Sequence, residues 1–314
     1  MRFISTLKEG DRTSDIYLCK QKQTLRSKNG RNYFSMILQD KTGVIDAKIW
    51  DLSNGINHFE AMDYIQVEGE VTSFQGALQL NIRRVRIASE NEYNPADYLP
   101  CSRFDLNGMY KELMGYIDSI QNPKMKALAR SFFIEDRELA LVFRSHSAAK
   151  SVHHGFVGGL LEHTLGVVRL CDFYCKQYPV LNRDLLLVAA MLHDIGKVKE
   201  LSAFPENDYT DEGQLLGHII IGAEMVSERV KKIPGFPVKV ANELKHCILA
   251  HHGELEYGSP KKPAMIEAMA LHMADNTDAK METLRELLEG SNADGEWLGY
   301  NRLLESNFKK TTTF

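Results

Sequence analysis

The chain has 314 residues, 44% of them hydrophobic and 25% charged, and carries a net charge of −4. That composition belongs to a folded globular protein long enough for about two domains, and it excludes disordered, collagenous and disulfide-stapled chains. The longest apolar run, Leu185 to Leu192, is far short of the roughly 20 residues of a membrane helix, and Met1 to Lys8 lacks a signal-peptide core, so a cytoplasmic chain with no membrane partner is expected.

Up to about residue 90 the hydrophobic pattern has a period of two. Ile16 and Leu18 alternate with polar neighbours, as do Phe34, Met36 and Leu38, then Ile45, Ala47 and Ile49, then Ile65, Val67 and Val71, and finally Leu78, Leu80 and Ile82. Turn sequences separate these runs: Lys28-Asn29-Gly30, Asp40 to Gly43, and Gln75-Gly76. Five short strands predict a small, closed all-β domain over residues 1–90. The polar, proline-containing stretch 91–103 reads as a linker.

From about residue 104 the period changes to 3.6. The pattern predicts an all-α domain over 104–290, with helices at 105–120, 123–134, 136–144, 159–177, 182–193, 217–232, 238–251 and 263–288. Residues 291–314 read as a C-terminal extension, with a short helix near 296–306 and a tail from Asn307 to Phe314. The basic surplus lies in the first domain: residues 1–90 hold 13 Lys/Arg against 11 Asp/Glu. The five cysteines are scattered and form no C-x-x-C pair, which indicates neither a disulfide framework nor a zinc ribbon.

Ten of the eleven histidines lie between His146 and His272. The strongest motif is Leu192-His193-Asp194-Ile195-Gly196-Lys197, at the end of an apolar helix. His193 and Asp194 can approach one ion from neighbouring sides, the carboxylate being free to bridge to a second. Lys197 returns to the same face and suits a phosphate oxygen. His163, His218, His251-His252 and Asp275 stand on separate predicted helices. Imidazole and carboxylate donors suit Mn, Fe, Co, Ni or Zn, and helical bundles build dinuclear sites from one inward ligand per helix. A lone histidine on an apolar helix face is usually a hydrogen-bonded core residue; here the ordered set is informative.

That order (His, His-Asp-x-x-Lys, His, His-His, Asp) resembles the HD-domain metal-dependent phosphohydrolases over about residues 145–285. The resemblance implies one metal held by His163, His193, Asp194 and Asp275, and a second held by Asp194, His218 and His251; within the His251-His252 pair one residue ligates, His251 by preference, and the other faces substrate. Trinuclear relatives carry a glutamate four residues before the first histidine, where this chain has Gly159, so two metals are implied. The segment Lys150 to Thr164 looks like the lead-in of nuclease-type members and brings Lys150, His153 and His154 into the candidate set. In this scheme Asp194 and the two ions activate a water for attack on phosphorus, Lys197 stabilises the developing charge, and His252, His153 or His154 protonates the leaving oxygen.

In the first domain, Leu38 to Ile45 followed by Ala47-Lys48-Ile49-Trp50 resembles the second-to-third strand hairpin of nucleic-acid-binding OB folds. With Ile45, Ala47 and Ile49 facing in, Lys48 and Trp50 face out. Trp50 either caps the barrel or stacks a base; Phe34 and Phe74 read as core. Lys28, Arg31 and Arg84 add basic residues near the predicted hairpins. The fold class is therefore multidomain, an N-terminal all-β OB-fold barrel followed by an all-α HD-domain bundle. An OB domain before an HD domain in a chain of this length is similar to the YhaM family of bacterial 3′-to-5′ exoribonucleases. That resemblance implies a manganese- or cobalt-dependent exonuclease acting on single-stranded RNA, with single-stranded DNA as a second substrate and self-association compatible with it. A phosphohydrolase of small nucleotides or cyclic dinucleotides, with a regulatory OB domain, is the alternative.

Overall fold

The computed structural model describes residues 2–53, 55–150, 154–290, 295–301 and 304–312. The chain divides into two compact units, Met1–Cys101 and Ser102–Phe314.

The first unit is a closed barrel of β1 (Arg12–Arg26), β2 (Asn32–Asp40), β3 (Gly43–Ile49), β4 (Tyr64–Phe74) and β5 (Ala77–Ile87), in the order β1-β2-β3-β5-β4. All neighbours are antiparallel except β3 and β5, and β4 returns to β1 to close the ring. This is the OB fold. Closure removes the free sheet edges that would otherwise template association. The core takes Met36, Leu38, Ile45, Ala47, Ile49, Ile65, Val67, Val71, Leu80 and Ile82, as the alternation predicts.

Two expectations fail in this unit. β1 buries Leu18 as expected but also Tyr17 and Cys19, while Ile16 is only partly buried, because the long strand bulges between Cys19 and Gln21 and serves two partners. Phe74 is exposed at a strand end instead of buried. The stretch expected as a linker is also ordered: Tyr93 stacks on Tyr64 with ring centroids 3.9 Å apart, and Tyr98, set edge-on to Tyr64, is buried. Gln39 donates to the Tyr98 carbonyl and Arg86 grips Glu92 through both guanidinium nitrogens. Tyrosine stacking turns residues 91–101 into part of the barrel unit.

The second unit contains α1 (Leu106–Ser119), α2 (Pro123–Arg130), a π-turn at Ser131–Glu135, α3 (Arg137–Ser145), α4 (Gly159–Gln177), α5 (Arg183–Leu192), α6 (Lys197–Glu200), α7 (Asp211–Lys232), α8 (Val238–Leu249) and α9 (Ile266–Gly290). Asp105, Asn122, Asp136, Asn182 and Thr210 cap α1, α2, α3, α5 and α7 through their side chains, which explains where those helices begin. The apolar run Leu185–Leu192 is buried along its whole length, making α5 the centre of the bundle. The backbone leaves helical geometry at Gly217 (φ 73°), so α7 is two segments, and the predicted start at 217 marks the restart.

Among its described residues, the C-terminal extension is not helical. Trp297–Asn301 (β6) and Ser306–Lys309 (β7) pair as an antiparallel hairpin with an irregular register between Trp297 and Tyr300. Aromatic Trp297 and Tyr300 favour the strand state over the predicted short helix.

Candidate metal centre

α4, the α5–α6 junction, α7, the end of α8 and α9 each bring one part of a buried cluster. His163 stands on α4; its Nε2 lies 3.1 Å from Asp275 Oδ1, 3.4 Å from Asp194 Oδ2 and 3.2 Å from His193 Nε2. His193 Nε2 is 3.5 Å from the same Asp194 oxygen and 3.8 Å from Asp275 Oδ1. The other oxygen of Asp194 faces a different pair, with His218 Nε2 at 3.4 Å and His251 Nε2 at 3.6 Å. The carboxylate thus divides its two oxygens between two imidazole sets.

Each imidazole is oriented through its second nitrogen. His193 Nδ1–H donates to the Ala190 carbonyl at 2.8 Å and His251 Nδ1–H to the Ile248 carbonyl at 2.7 Å. His163 Nδ1–H donates to Asp278 Oδ2 at 2.7 Å, and His218 Nδ1–H to Glu200 Oε1 at 2.9 Å. Glu200 Oε1 also accepts the His218 backbone N–H, so one carboxylate fixes both the helix restart and the ring. This arrangement fixes each ring with Nε2 directed inward, as ligating histidines require.

The interior is charged. Burial opposes ionisation of Asp194, but Lys197, His193 and their neighbours outweigh it and hold the carboxyl well below its usual range. Lys197 Nζ donates to Asp194 Oδ2 at 2.7 Å. Burial disfavours a charged His163, yet Asp275 and Asp278 raise its pKa to about 10. Burial lowers His193 to about 4, and burial with the adjacent His251 and His218 does the same for His252.

The cluster fits a cation on its own geometry. Asp194 Oδ1, His218 Nε2 and His251 Nε2 are buried and have no hydrogen-bond partner among the described residues, although they converge on one another. Leaving such atoms unsatisfied costs about 1–3 kcal/mol each. A single divalent ion satisfies all three with the donor types such ions select.

The remaining candidates fall into place unevenly. His252 lies beside His218 and His251, its Nδ1–H held by the Tyr257 carbonyl at 2.8 Å. His154 is buried with Nε2 on Asp278 Oδ2 at 3.1 Å, so it supports the His163 side from behind and cannot line a strand groove as expected. His153 lies outside the described residues. Lys150 is exposed and paired with Asp208 at 2.6 Å.

On the barrel, Trp50 is 51% exposed and stacks on Tyr33 with centroids 4.5 Å apart. Lys28, Arg31, Tyr33 and Trp50 line one depression of about 590 Å³. Arg84 lies elsewhere, in a depression with Gln66 and Arg86, and faces Glu68 at 3.6 Å. Lys48 turns out to be internally engaged, its Nζ on Ser35 Oγ at 2.6 Å and Asp46 Oδ1 at 2.9 Å, because the β2–β3 pairing seats Ser35 opposite it.

Sequence reasoning missed Asp278, Glu200 and Tyr33. Asp278 had a signal, standing three residues after Asp275 on one helix face. Tyr33 had one too: the turn at Asp40–Gly43 sets the hairpin register, which brings Tyr33 opposite Trp50. Glu200 had none, since its role depends on how α7 folds back.

Asp278 gives the first test. Asp278→Asn removes the charge that orients His163, and it is expected to weaken metal binding by about 10- to 100-fold. Titration of the metal-free protein with Mn²⁺ measures this; affinity within twofold of the parent contradicts the assignment.

Residues 160–280 match the HD domain family and residues 19–88 match the OB-fold nucleic acid binding domain family. The 3′-5′ exoribonuclease YhaM of Bacillus velezensis is 37% identical over 284 residues, covering 89% of this chain and 88% of that protein. YhaM of Bacillus subtilis is 36% identical over 282 residues, with 89% and 88% covered. The protein of the same name from Geobacillus sp. is 36% identical, with 88% of this chain and 85% of that protein covered. HD domains are metal-dependent, and here the clustered histidines and aspartates lie within the matched segment. With an OB barrel, an HD bundle and this extent of identity to three relatives, the chain belongs to the YhaM family of 3′-5′ exoribonucleases.

Proposed function

We propose that this chain hydrolyses single-stranded RNA from its 3′ end, in the cytoplasm, and accepts single-stranded DNA as a second substrate. The barrel unit holds the strand and the helical unit cleaves it. His163, His193, Asp194 and Asp275 hold one divalent ion; Asp194, His218 and His251 hold the other, with manganese the favoured metal and cobalt the next. Bound there, the ions supply Lewis acidity that polarises the phosphoryl group and makes water acidic enough to attack at neutral pH.

The observation that supports this reading best is the division of the Asp194 oxygens between two imidazole sets, one of them made of atoms with no other partner among the described residues. Asp194 spaces the two halves of the site. Lys197, 2.7 Å from Asp194, offsets charge that accumulates on the non-bridging phosphoryl oxygens. His252, beside His218 and His251, passes a proton to the leaving oxygen. His154 is engaged with Asp278 and has no such part.

Calorimetric titration with Mn²⁺ is expected to give two ions per chain; a stoichiometry of one removes the dinuclear scheme. On the barrel, Trp50→Ala is expected to weaken binding of a 20-nucleotide single-stranded RNA by about 1–3 kcal/mol while sparing turnover of bis(p-nitrophenyl) phosphate. Unchanged affinity for the RNA would return Trp50 to a packing role.

A further inference from the structure

Trp50 is held in place by a polar chain that no feature of the catalytic unit requires. Its indole Nε1–H donates to Asn81 Oδ1 at 3.0 Å, Asn81 Nδ2–H donates to Thr72 Oγ1 at 2.9 Å, and the Thr72 hydroxyl donates to the Gln79 carbonyl at 3.3 Å. An indole N–H can only donate, so the amide oxygen must face it and the amide NH₂ must face Thr72. Thr72 then accepts from Asn81 and donates onward to backbone. The chain has one consistent direction and ends on the β4–β5 ladder, where Thr72 and Gln79 are paired residues.

Tyr33 supplies the second restraint. It covers one face of the indole, with an interplanar angle of 26°. The other face remains open, since Trp50 is half exposed on the depression that Lys28 and Arg31 line. A stack on one side and a hydrogen bond at the ring edge leave the indole little freedom to rotate. One open aromatic face beside two cations matches the chemistry of one nucleotide of an unpaired strand: base on the ring, phosphate at the basic groups.

We infer that Asn81, braced by Thr72, is a positioning residue that pins the Trp50 indole as a pre-set stacking platform for one unpaired nucleobase. The inference rests on the proposed strand-holding role of the barrel. Asn81 touches no substrate in this scheme and acts only through Trp50. Its removal therefore costs binding by releasing a ring that must be re-ordered when the strand arrives. Turnover of bound substrate is unaffected.

The test uses the full-length, Mn²⁺-loaded chain on a 20-nucleotide oligoadenylate. Asn81→Leu is expected to raise KM about three- to tenfold, the range of one lost hydrogen bond, with kcat within twofold. Thr72→Val, a gentler change, moves KM in the same direction by about twofold. In a Trp50→Phe background, which has no indole N–H, Asn81→Leu has no further effect, because the two residues act as a unit. With Trp297→Phe leaving Trp50 as the only tryptophan, Asn81→Leu also lowers the anisotropy of indole emission. If Trp50→Ala raises KM but Asn81→Leu does not, the pin is overturned while the strand-holding role of the barrel stands. The same holds if Asn81→Leu raises KM equally in the Trp50→Phe background. If Trp50→Ala also leaves KM unchanged, the pin is overturned together with the stacking role of Trp50.

Discussion

Asp194→Ala abolishes hydrolysis, lowering kcat by more than about 10³, above the 10²–10³ that one missing electrostatic contact costs in an active site. Asp194 offers one oxygen to each imidazole set: Oδ2 faces His163 and His193, and Oδ1 faces His218 and His251. Removing the carboxylate also strips Lys197 of its partner, and an uncompensated buried ammonium destabilises a fold by about 3–5 kcal/mol. A soluble but unfolded variant would look the same in an activity assay. Asp194→Ala combined with Lys197→Met removes both charges together, and is expected to recover thermal stability without recovering activity. Measurable turnover by either folded, metal-loaded variant contradicts the role given to Asp194.

The second large effect is expected at a residue with no functional group. Gly196 sits between the His193-Asp194 pair and Lys197, where α7 crosses so closely that a methyl group would overlap the His218 carbonyl oxygen and the Gly222 amide. Backbone atoms cannot swing aside as a flexible side chain can, so Gly196→Ala pushes α7 away from the His193–Asp194 turn. His218 then moves off Asp194 Oδ1. A displacement of about 1 Å at a reacting centre costs roughly 10² in rate, which is the expected fall in kcat. The melting temperature falls as well, by the strain of overpacking, and the second Mn²⁺ is lost from the titration. Two bound ions with full activity would show that the contact yields at no cost.

Much of this is legible in the sequence. The barrel strands follow from alternation and from turn residues that set each register. The ligand helices follow from the 3.6 period and the placement of histidines along it. What escaped depended on tertiary contact. Residues 91–101 have linker composition, yet Tyr93 and Tyr98 find Tyr64 and fold onto the barrel. Lys48 alternates outward as expected, but Asp46 and Ser35 absorb its charge. His154 carries the same sequence signal as the ligand histidines and is instead tied to Asp278 behind them. Glu200 and Asp278, which orient two of the rings, are single acids in charged helices, and only the return of α7 and the packing of α9 on α4 gives them a histidine to hold.

The central claim is that one metal-dependent site removes nucleotides from the 3′ end of a single strand. A time course on single-stranded RNA labelled at its 5′ end, with Mn²⁺ and with a chelator control, tests it most directly. A descending ladder of 5′-labelled products that vanishes with chelator is the predicted result. Intact RNA in the presence of bound Mn²⁺, or immediate release of labelled mononucleotide without a ladder, would contradict it.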